Sequence, residues 1–259
     1  MIYIPNRRNS LFRNLRTGKS YGFDQVINTR LRNETFSPSL VKGLLMWVDA
    51  SQIAGLNDND SVTTWTDLSG NGYNATQATA SKKPTYKITI QNGKPVVRFD
   101  GVDDYLVSAC ALNNDLLTSF MVIKRNNSGG LPASFSDANT ADYSSAAFAE
   151  MFRDGAGGYG AYRNTSLPDS GFGAGWKIQT QLFNGSLFRN RTNSIATADR
   201  SSSGTFNFHQ ILFGAYQDTA SIGAYLDGDI AEFLLFSGNI SFEEILLMES
   251  YLNTKWRVF

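Results

Sequence analysis

The hydrophobic positions of this chain fall in short runs or in alternation, the spacing of β-strands rather than of long helices. Residues 44–49 (LLMWVD) are a brief apolar run that reads as a strand covered on both faces. Residues 61–65 alternate and stop at Ser69-Gly70-Asn71-Gly72, where two glycines admit positive φ. In 95–99, Val96 and Arg98 point one way and Val97 and Phe99 the other. Further strands are expected at 119–124, 147–152, 158–162, 176–183 and 188–191, with Asn184-Gly185 as a hairpin turn. Near the C-terminus, 206–213 and 222–226 read as strands and Asp227-Gly228 as a tight turn. The next strand, 229–236, then places Ile230, Glu232 and Leu234 on one face and Ala231, Phe233 and Leu235 on the other. Ser241 with Glu244 three residues on has the form of a capping box, predicting a helix over about 241–255 that packs Tyr251 and Trp256 inward. Residues 1–38 hold no sustained period and end at Phe36-Ser37-Pro38, a boundary that disfavours helix, so they read as an extended arm.

Composition narrows the class. A chain of 259 residues can bury one large β core, and 42% hydrophobic against 18% charged residues is the balance of an ordered domain. Charge is the uneven feature. Residues 1–42 carry eight basic residues against Asp24 and Glu34, a net +6, so with a total of zero residues 43–259 sum to −6. The single cysteine, Cys110, excludes an internal disulfide and reads as a small buried hydrophobe. No signal-peptide pattern opens the sequence, so export by the usual route is not expected, and no apolar run approaches the ~20 residues that span a bilayer.

Two blocks resemble a known family. The opening block, 43–106, contains LLMWVDAS, WTDLSGNGYNATQ and GKPVVRFDGVDDYL, and the closing block runs YLDGDIAEFLLFSGNISFEEILLMESYLNTKW. Together they resemble the concanavalin A-like, laminin-G-like jelly rolls of phage virion proteins and bacterial surface proteins. The resemblance implies an all-β fold, a two-sheet antiparallel jelly-roll sandwich over 43–259 with one short C-terminal helix; the charge division makes residues 1–42 ahead of it a basic N-terminal docking arm. It also implies that Glu232 is the acid of a non-catalytic Gly-Asp-Ile-x-Glu motif, hydrogen-bonded to backbone.

Candidate chemistry is sparse. A glycosidase of this fold needs two carboxylates about 5–5.5 Å apart if retaining, and the nearest pattern, Asp227 to Glu232, lacks an opening glutamate. His209 is the one histidine, no Gly-x-Ser-x-Gly elbow exists and no His/Cys cluster offers a zinc site. The chain is therefore expected not to be an enzyme, and no cofactor is certain from the sequence. Ca²⁺ is the candidate ion, because Asp58, Asp60, Asp100, Asp103 and Asp104 are loop oxygen donors of the kind that cation takes. For sugars, the requirement is an aromatic platform with polar groups at a rim, and Tyr143, Tyr159, Tyr162, Trp176 and the SGNGYN loop are the candidates.

The arm mixes Arg7, Arg8, Arg13 and Arg16 with Ile4, Leu11, Phe12 and Leu15, a composition suited to folding against a protein partner rather than to nucleic acid. With the resemblance, it implies a non-enzymatic virion structural protein: a phage capsid decoration, neck or tail component. That protein would be held to other virion proteins by its arm, oligomeric in the assembly and open to host or environmental glycans. No membrane partner is expected. The alternative is a free-standing carbohydrate-binding domain of a bacterial surface protein, part of a longer chain, with a glycoside hydrolase behind it.

Overall fold

The computed structural model describes residues 11–13, 20–22, 36–153, 158–163, 165–170, 173–219, 221–238 and 240–259, without the side chains of 11–13, 20–22, 165, 166 and 168–170. Two compact units divide at Leu40 and Val41. In the first, Leu11–Arg13 pairs antiparallel with Ser20–Gly22, Phe12 opposite Tyr21. The expected featureless arm thus contains a short hairpin. Arg7, Arg8, Arg16, Ile4 and Leu15 lie outside the described residues.

The second unit is a β-sandwich. Its nine-stranded sheet runs Ile195–Ala196, Leu187–Thr192, Trp176–Asn184, Leu116–Arg125, Asp227–Ser237, Lys94–Asp100, Thr85–Gln91, with Leu44–Asp49 beside Asp227–Ser237 and Arg200–Ser201 beside Leu187–Thr192. The eight-stranded sheet runs Thr165–Ser170, Tyr159–Arg163, Ala149–Met151, Ala133–Ser136, Gln210–Phe213, Leu106–Ser108, Ala75–Thr76, Thr64–Trp65. Every described pairing is antiparallel, as sheets built from hairpins and long returns require. Between the sheets lies one apolar core that includes Met46, Val48, Trp65, Phe99, Met121, Phe135, Phe206, Phe213 and Phe233. Its rings meet mostly edge to face, as Phe213 does with Phe233 at 5.1 Å, the arrangement the ring quadrupole favours.

The outer face of the nine-stranded sheet is covered as well. Leu117, Met121 and Ile123 point into the core, so the alternate residues Phe120 and Val122 point outward, yet both are fully buried. The helix Phe242–Trp256 lies on this face, with Tyr251 and Trp256 donating to Glu232 and Glu249 accepting from Thr180 Oγ1. Ser241 caps it, accepting from the Glu244 backbone N–H while the Glu244 carboxylate accepts from the Ser241 N–H, the reciprocal box expected from the sequence. Ile245, Leu247, Met248, Leu252 and Trp256 are its buried apolar residues.

Two features of Asp227–Ser237 depart from expectation. Asp227 and Gly228 are not a turn but the start of the strand, opposite Asp100 and Phe99. A Cβ on Gly228 would lie 2.4 Å from the Lys124 carbonyl oxygen, so this glycine serves close backbone approach rather than positive φ. A β-bulge then sets Ala231 apart, since Val122 faces Glu232 while Ile123 faces Ile230. The extra residue turns Ile230 to the core side with Phe233 and Leu235, leaving Glu232, Leu234 and Phe236 outward, where alternation alone had grouped Ile230 with Glu232. The bulge also marks a change of neighbour, from Lys94–Asp100 to Leu44–Asp49.

Candidate functional site

The eight-stranded sheet has an outer face too, and no helix lies on it among the described residues. Ala133, Phe135, Ala149, Met151, Tyr159 and Ala161 belong to the core, so Ser134, Glu150 and Tyr162 must face outward. Register places these three in one cross-strand row: Tyr162 opposite Glu150, Glu150 opposite Ser134. Residues 137–147 and the hairpin of Tyr216–Asp218 with Ser221–Gly223 meet over this row. Their backbones are tied where the Asp142 N–H donates to the Gln217 carbonyl at 3.0 Å and the Gln217 N–H donates to Asp142 Oδ2 at 3.2 Å.

Three tyrosines come together there. The Tyr143 ring stands edge-on to Tyr162, centroids 6.0 Å apart, and nearly parallel to Tyr216 at 6.4 Å and 21°. Tyr143 is 37% exposed and the other two are half-buried. Gly223 lies opposite Tyr216, and a Cβ there would sit 2.8 Å from the Tyr216 ring, so the glycine makes room for that ring to lie across the hairpin.

Acidic groups surround the rings. Asp142 is fully buried, with the Gln217 N–H and the Ser134 hydroxyl as its hydrogen-bond donors. Burial first, and the Glu150 carboxylate second, push Asp142 up to about 8, which keeps it largely protonated at neutral pH. Asp218 raises the Tyr143 phenol more than any other group, with burial, Asp142 and Glu150 adding to it. The Tyr216 phenol is raised by burial first and then by Asp218. Glu150 accepts from Arg153 Nη1 at 3.1 Å. The patch therefore combines an aromatic surface, a buried protonated carboxyl and two further carboxylates, equipment for stacking on a ring and bonding its hydroxyls.

Of the sugar candidates named from sequence, Tyr143 and Tyr162 are thus brought together. Tyr159 is not with them. It is 1% exposed in the core under Arg125, whose guanidinium lies 5.3 Å from its ring, and burial pushes its phenol up to about 12. Trp176 pairs with Lys124 on the other sheet, and among the described residues no ring contact joins it to the tyrosines. The polar groups of the SGNGYN loop are spent on the fold. Asn71 Nδ2 donates to the Leu45 carbonyl at 2.8 Å, Asn74 Oδ1 accepts from the Asp67 N–H, and Asp67 accepts from Trp47, Ser69 and Tyr73. Tyr216, Asp142, Glu150 and Asp218 were not anticipated. The available signal was an aromatic beside an acid in both Asp142-Tyr143 and Tyr216-Gln217-Asp218.

The candidate Ca²⁺ ligands separate into two groups. Asp100, Asp103 and Asp104 offer carboxylate oxygens within 4.8 Å of one another. Asp58 instead accepts from the Ile88 N–H and the Lys87 ammonium, and Asp60 from the Asn57 N–H at 2.6 Å. Three carboxylates fall short of the six to eight oxygens Ca²⁺ takes. Two of the three already close their own loop: Asp100 Oδ1 accepts from Val102 and Asp103, and Asp104 Oδ2 from Asp100. Burial and then Asp100 push Asp104 up to about 7.

Glu232 is a structural acid, with side chains rather than backbone as its partners. Trp47 Nε1 and the Tyr251 hydroxyl donate to Oε1 at 2.8 and 3.1 Å; Trp256 Nε1 and Lys255 Nζ donate to Oε2 at 2.6 and 2.8 Å. Lys255 also pairs with Asp49. His209 is exposed and shares a hydrogen bond with Asp137 at 2.5 Å. Cys110 is buried, with its thiol pushed up to about 12 by burial, as a packed hydrophobe should be.

No protein-family model matches this sequence, and no curated protein does. Among solved structures, the chain is similar to the binding domain of Paraclostridial Mosquitocidal Protein 1, with 12% identity and a TM-score of 0.52 over 82% of this chain and 53% of that one. It is similar to the receptor binding domain of botulinum neurotoxin mosaic serotype C/D at 13% identity and a TM-score of 0.51, covering 83% of this chain and 52% of that one. Domain 4 of AbnA, a GH43 extracellular arabinanase from Geobacillus stearothermophilus solved in complex with arabinotriose, matches at 10% identity and a TM-score of 0.52 over 80% of this chain and 97% of that one. The chain thus spans about half of each toxin domain and nearly all of the arabinanase domain. At such identities the likeness establishes the fold alone, a β-sandwich.

Proposed function

We propose that this chain is a non-catalytic, glycan-binding β-sandwich held on a larger assembly, a phage virion, through residues 1–42. The observation that carries the glycan reading is the half-exposed trio Tyr143, Tyr162 and Tyr216 beside Asp142, Glu150 and Asp218, on the outer face of the eight-stranded sheet. A sugar ring stacks on Tyr143, and Asp218 and Glu150 accept from its hydroxyls. Of the similar structures, the arabinanase domain was solved with an oligosaccharide, which is in keeping with this reading.

The virion reading is supported by the block resemblance and by the charge division, +6 over residues 1–42 against −6 beyond. The test has two parts. On a glycan array the full chain should bind a restricted set of glycans and Tyr143→Ala should lose them; binding that survives this change, or a blank array, rejects the site. Co-sedimentation with phage particles supports the virion placement. A protein found only on bacterial envelopes supports instead the free-standing carbohydrate-binding domain.

One observation favours hydrolysis as a second reading: Asp142 and Glu150 are neighbouring carboxyls, one of them raised to about 8, the asymmetry of an acid/base pair. Turnover of an oligosaccharide that disappears in Asp142→Asn would establish it.

A further inference from the structure

We propose that Asp49 and Lys255 join in an intramolecular amide bond, with Glu232 moving the protons, so that the sandwich is tied covalently from its strand Leu44–Asp49 to its C-terminal helix. Asp49 stands directly opposite Glu232 on Asp227–Ser237, two buried carboxylates in one cross-strand pair. Like charges so placed repel. Lys255, in the last turn of the helix, sets its Nζ between them, bonded to Asp49 Oδ2 and 2.8 Å from Glu232 Oε2. The Tyr251 and Trp256 rings flank this nitrogen, 5.5 and 5.1 Å from it. The ion pair of Lys87 with Asp58 shows the ordinary alternative: there the acid is exposed to water.

The groups that condensation requires are in place. Asp49 Oδ1 accepts from the Ser51 N–H at 2.9 Å and the Ser51 hydroxyl at 2.7 Å, donors that hold negative charge on that oxygen. Glu232 is fixed by Trp47, Tyr251 and Trp256, and burial first, then the Asp49 carboxylate, raises it towards holding a proton. The ammonium passes a proton to Asp49 Oδ2, and the neutral Nζ attacks Asp49 Cγ, sending the carbonyl electron pair to Oδ1. Glu232 takes a second proton from Nζ and delivers it to Oδ2. Return of the pair from Oδ1 breaks the Cγ–Oδ2 bond, and Oδ2 leaves as water. Ammonium and carboxylate thus become an amide and one water, Glu232 ends as it began, and no other reagent enters. Holding amine and carboxyl together supplies the effective concentration, and the product removes two charges that are costly to bury. With Cys110 alone in the chain, no internal disulfide does this work, and a bond from residue 49 to residue 255 closes nearly the whole sandwich into one loop.

The intact mass of the full chain, denatured before measurement, tests this. It should fall short of the sequence mass by one water, and a protease digest should yield a branched peptide joining the stretch that holds Asp49 to the stretch that holds Lys255. Lys255→Arg keeps the charge but should show the full mass. Glu232→Gln should link about a hundred-fold more slowly, the usual scale of a lost proton-transfer group. A native chain at full mass after prolonged incubation overturns the inference. So does a water loss that persists in Lys255→Arg, which would place the dehydration elsewhere in the chain. Linkage in folded Glu232→Gln at the native rate removes Glu232 from the reaction and overturns the assigned trio. Should Glu232→Gln fail to fold, the branched peptide of the native chain, present or absent, still decides the bond.

Discussion

The sandwich has two outer faces, and each buries acids against strands, but the acids are finished differently. Under the helix, Glu232 receives two indoles, a phenol and an ammonium, and Glu249 receives Thr180 Oγ1 and both Nε and Nη2 of Arg191. Over the other sheet, Asp142 has only a peptide N–H and the Ser134 hydroxyl, no cation, and half-exposed rings beside it. Burial of an acid is thus no sign of function by itself. The useful distinction is whether the partners present suffice for its charge.

That distinction can be broken first at Glu232. Truncation to Ala leaves Lys255 beside Asp49 alone and strands the buried Trp256 indole N–H and the half-buried Trp47 one, and Glu232→Ala should cost about 3–5 kcal/mol in urea unfolding. A loss under 1 kcal/mol would mean that the network is ornamental. Glu232→Gln should cost less, since the amide oxygen still accepts from one indole. Neither change should alter glycan binding.

Asp142 should behave in the opposite sense. Its carboxyl is raised in the folded chain to about 8 from an unfolded 3.8, so between those values the native state holds the extra proton. This contribution to stability is complete below the unfolded value and lost as pH rises through about 8. Asp142→Asn mimics the protonated form. Relative to the native chain it should gain melting temperature from pH 6 to about 8 and level off above that, by a few °C in all. A constant offset across that range would show that Asp142 is ionised throughout and paired by something else.

The contrast between the faces also explains what sequence reading could and could not reach. The helix was legible because its signals are local: Ser241 and Glu244 are three residues apart, and they bond as their spacing predicts. The alternation of Lys94–Asp100 and the apolar run within Leu116–Arg125 were legible for the same reason. Thr85–Gln91 was passed over because it is an edge strand with half-exposed residues and a register break before Gln91. The bulge at Ala231 depends on pairing with Val122 and Ile123, and one donor to Glu232, Trp47, lies 185 residues away, which no local pattern encodes. The tyrosine site was half legible: aromatics could be named, but sorting Tyr143 and Tyr162 from Tyr159 required knowing which side of Tyr159–Arg163 faces the core. Adjacent strand residues point to opposite faces, so a shift of one position in the reading exchanges platform and core.

Tyr143→Ala sharpens the comparison with a smaller effect on stability. The side chain is partly exposed and rests on two other rings, so its removal should cost about 0.5–1.5 kcal/mol, well below the loss at Glu232, while sugar binding drops out entirely. The same pair of assays on Glu232→Gln should give the reverse ranking. If Tyr143→Ala destabilises as much as Glu232→Ala, the ring trio is a buttress of the sheet and its exposure is incidental.

The smallest effect on the sandwich should come from removing residues 1–38. Residues 1–40 form a compact unit of their own with a hairpin at Leu11–Arg13 and Ser20–Gly22, and every strand of both large sheets begins after Val41. Deletion should leave a cooperatively melting β-sandwich whose melting temperature moves by no more than about 2 °C, because stability per residue resides in the buried core. Aggregation, or loss of the β signal in circular dichroism, would instead put those residues into the fold. If this segment attaches the domain to an assembly, the truncated protein should fail to join particles while retaining its sugar binding. Charge reversal at Arg7, Arg8, Arg13 and Arg16 should weaken incorporation less than deletion does. The residual attachment should also vary with salt, since ionic contacts are screened over about 10 Å at 0.1 M while apolar ones from Ile4, Leu11, Phe12 and Leu15 are not. Incorporation of the truncated chain at the full level would place the docking surface on the sandwich and leave residues 1–38 as a tether.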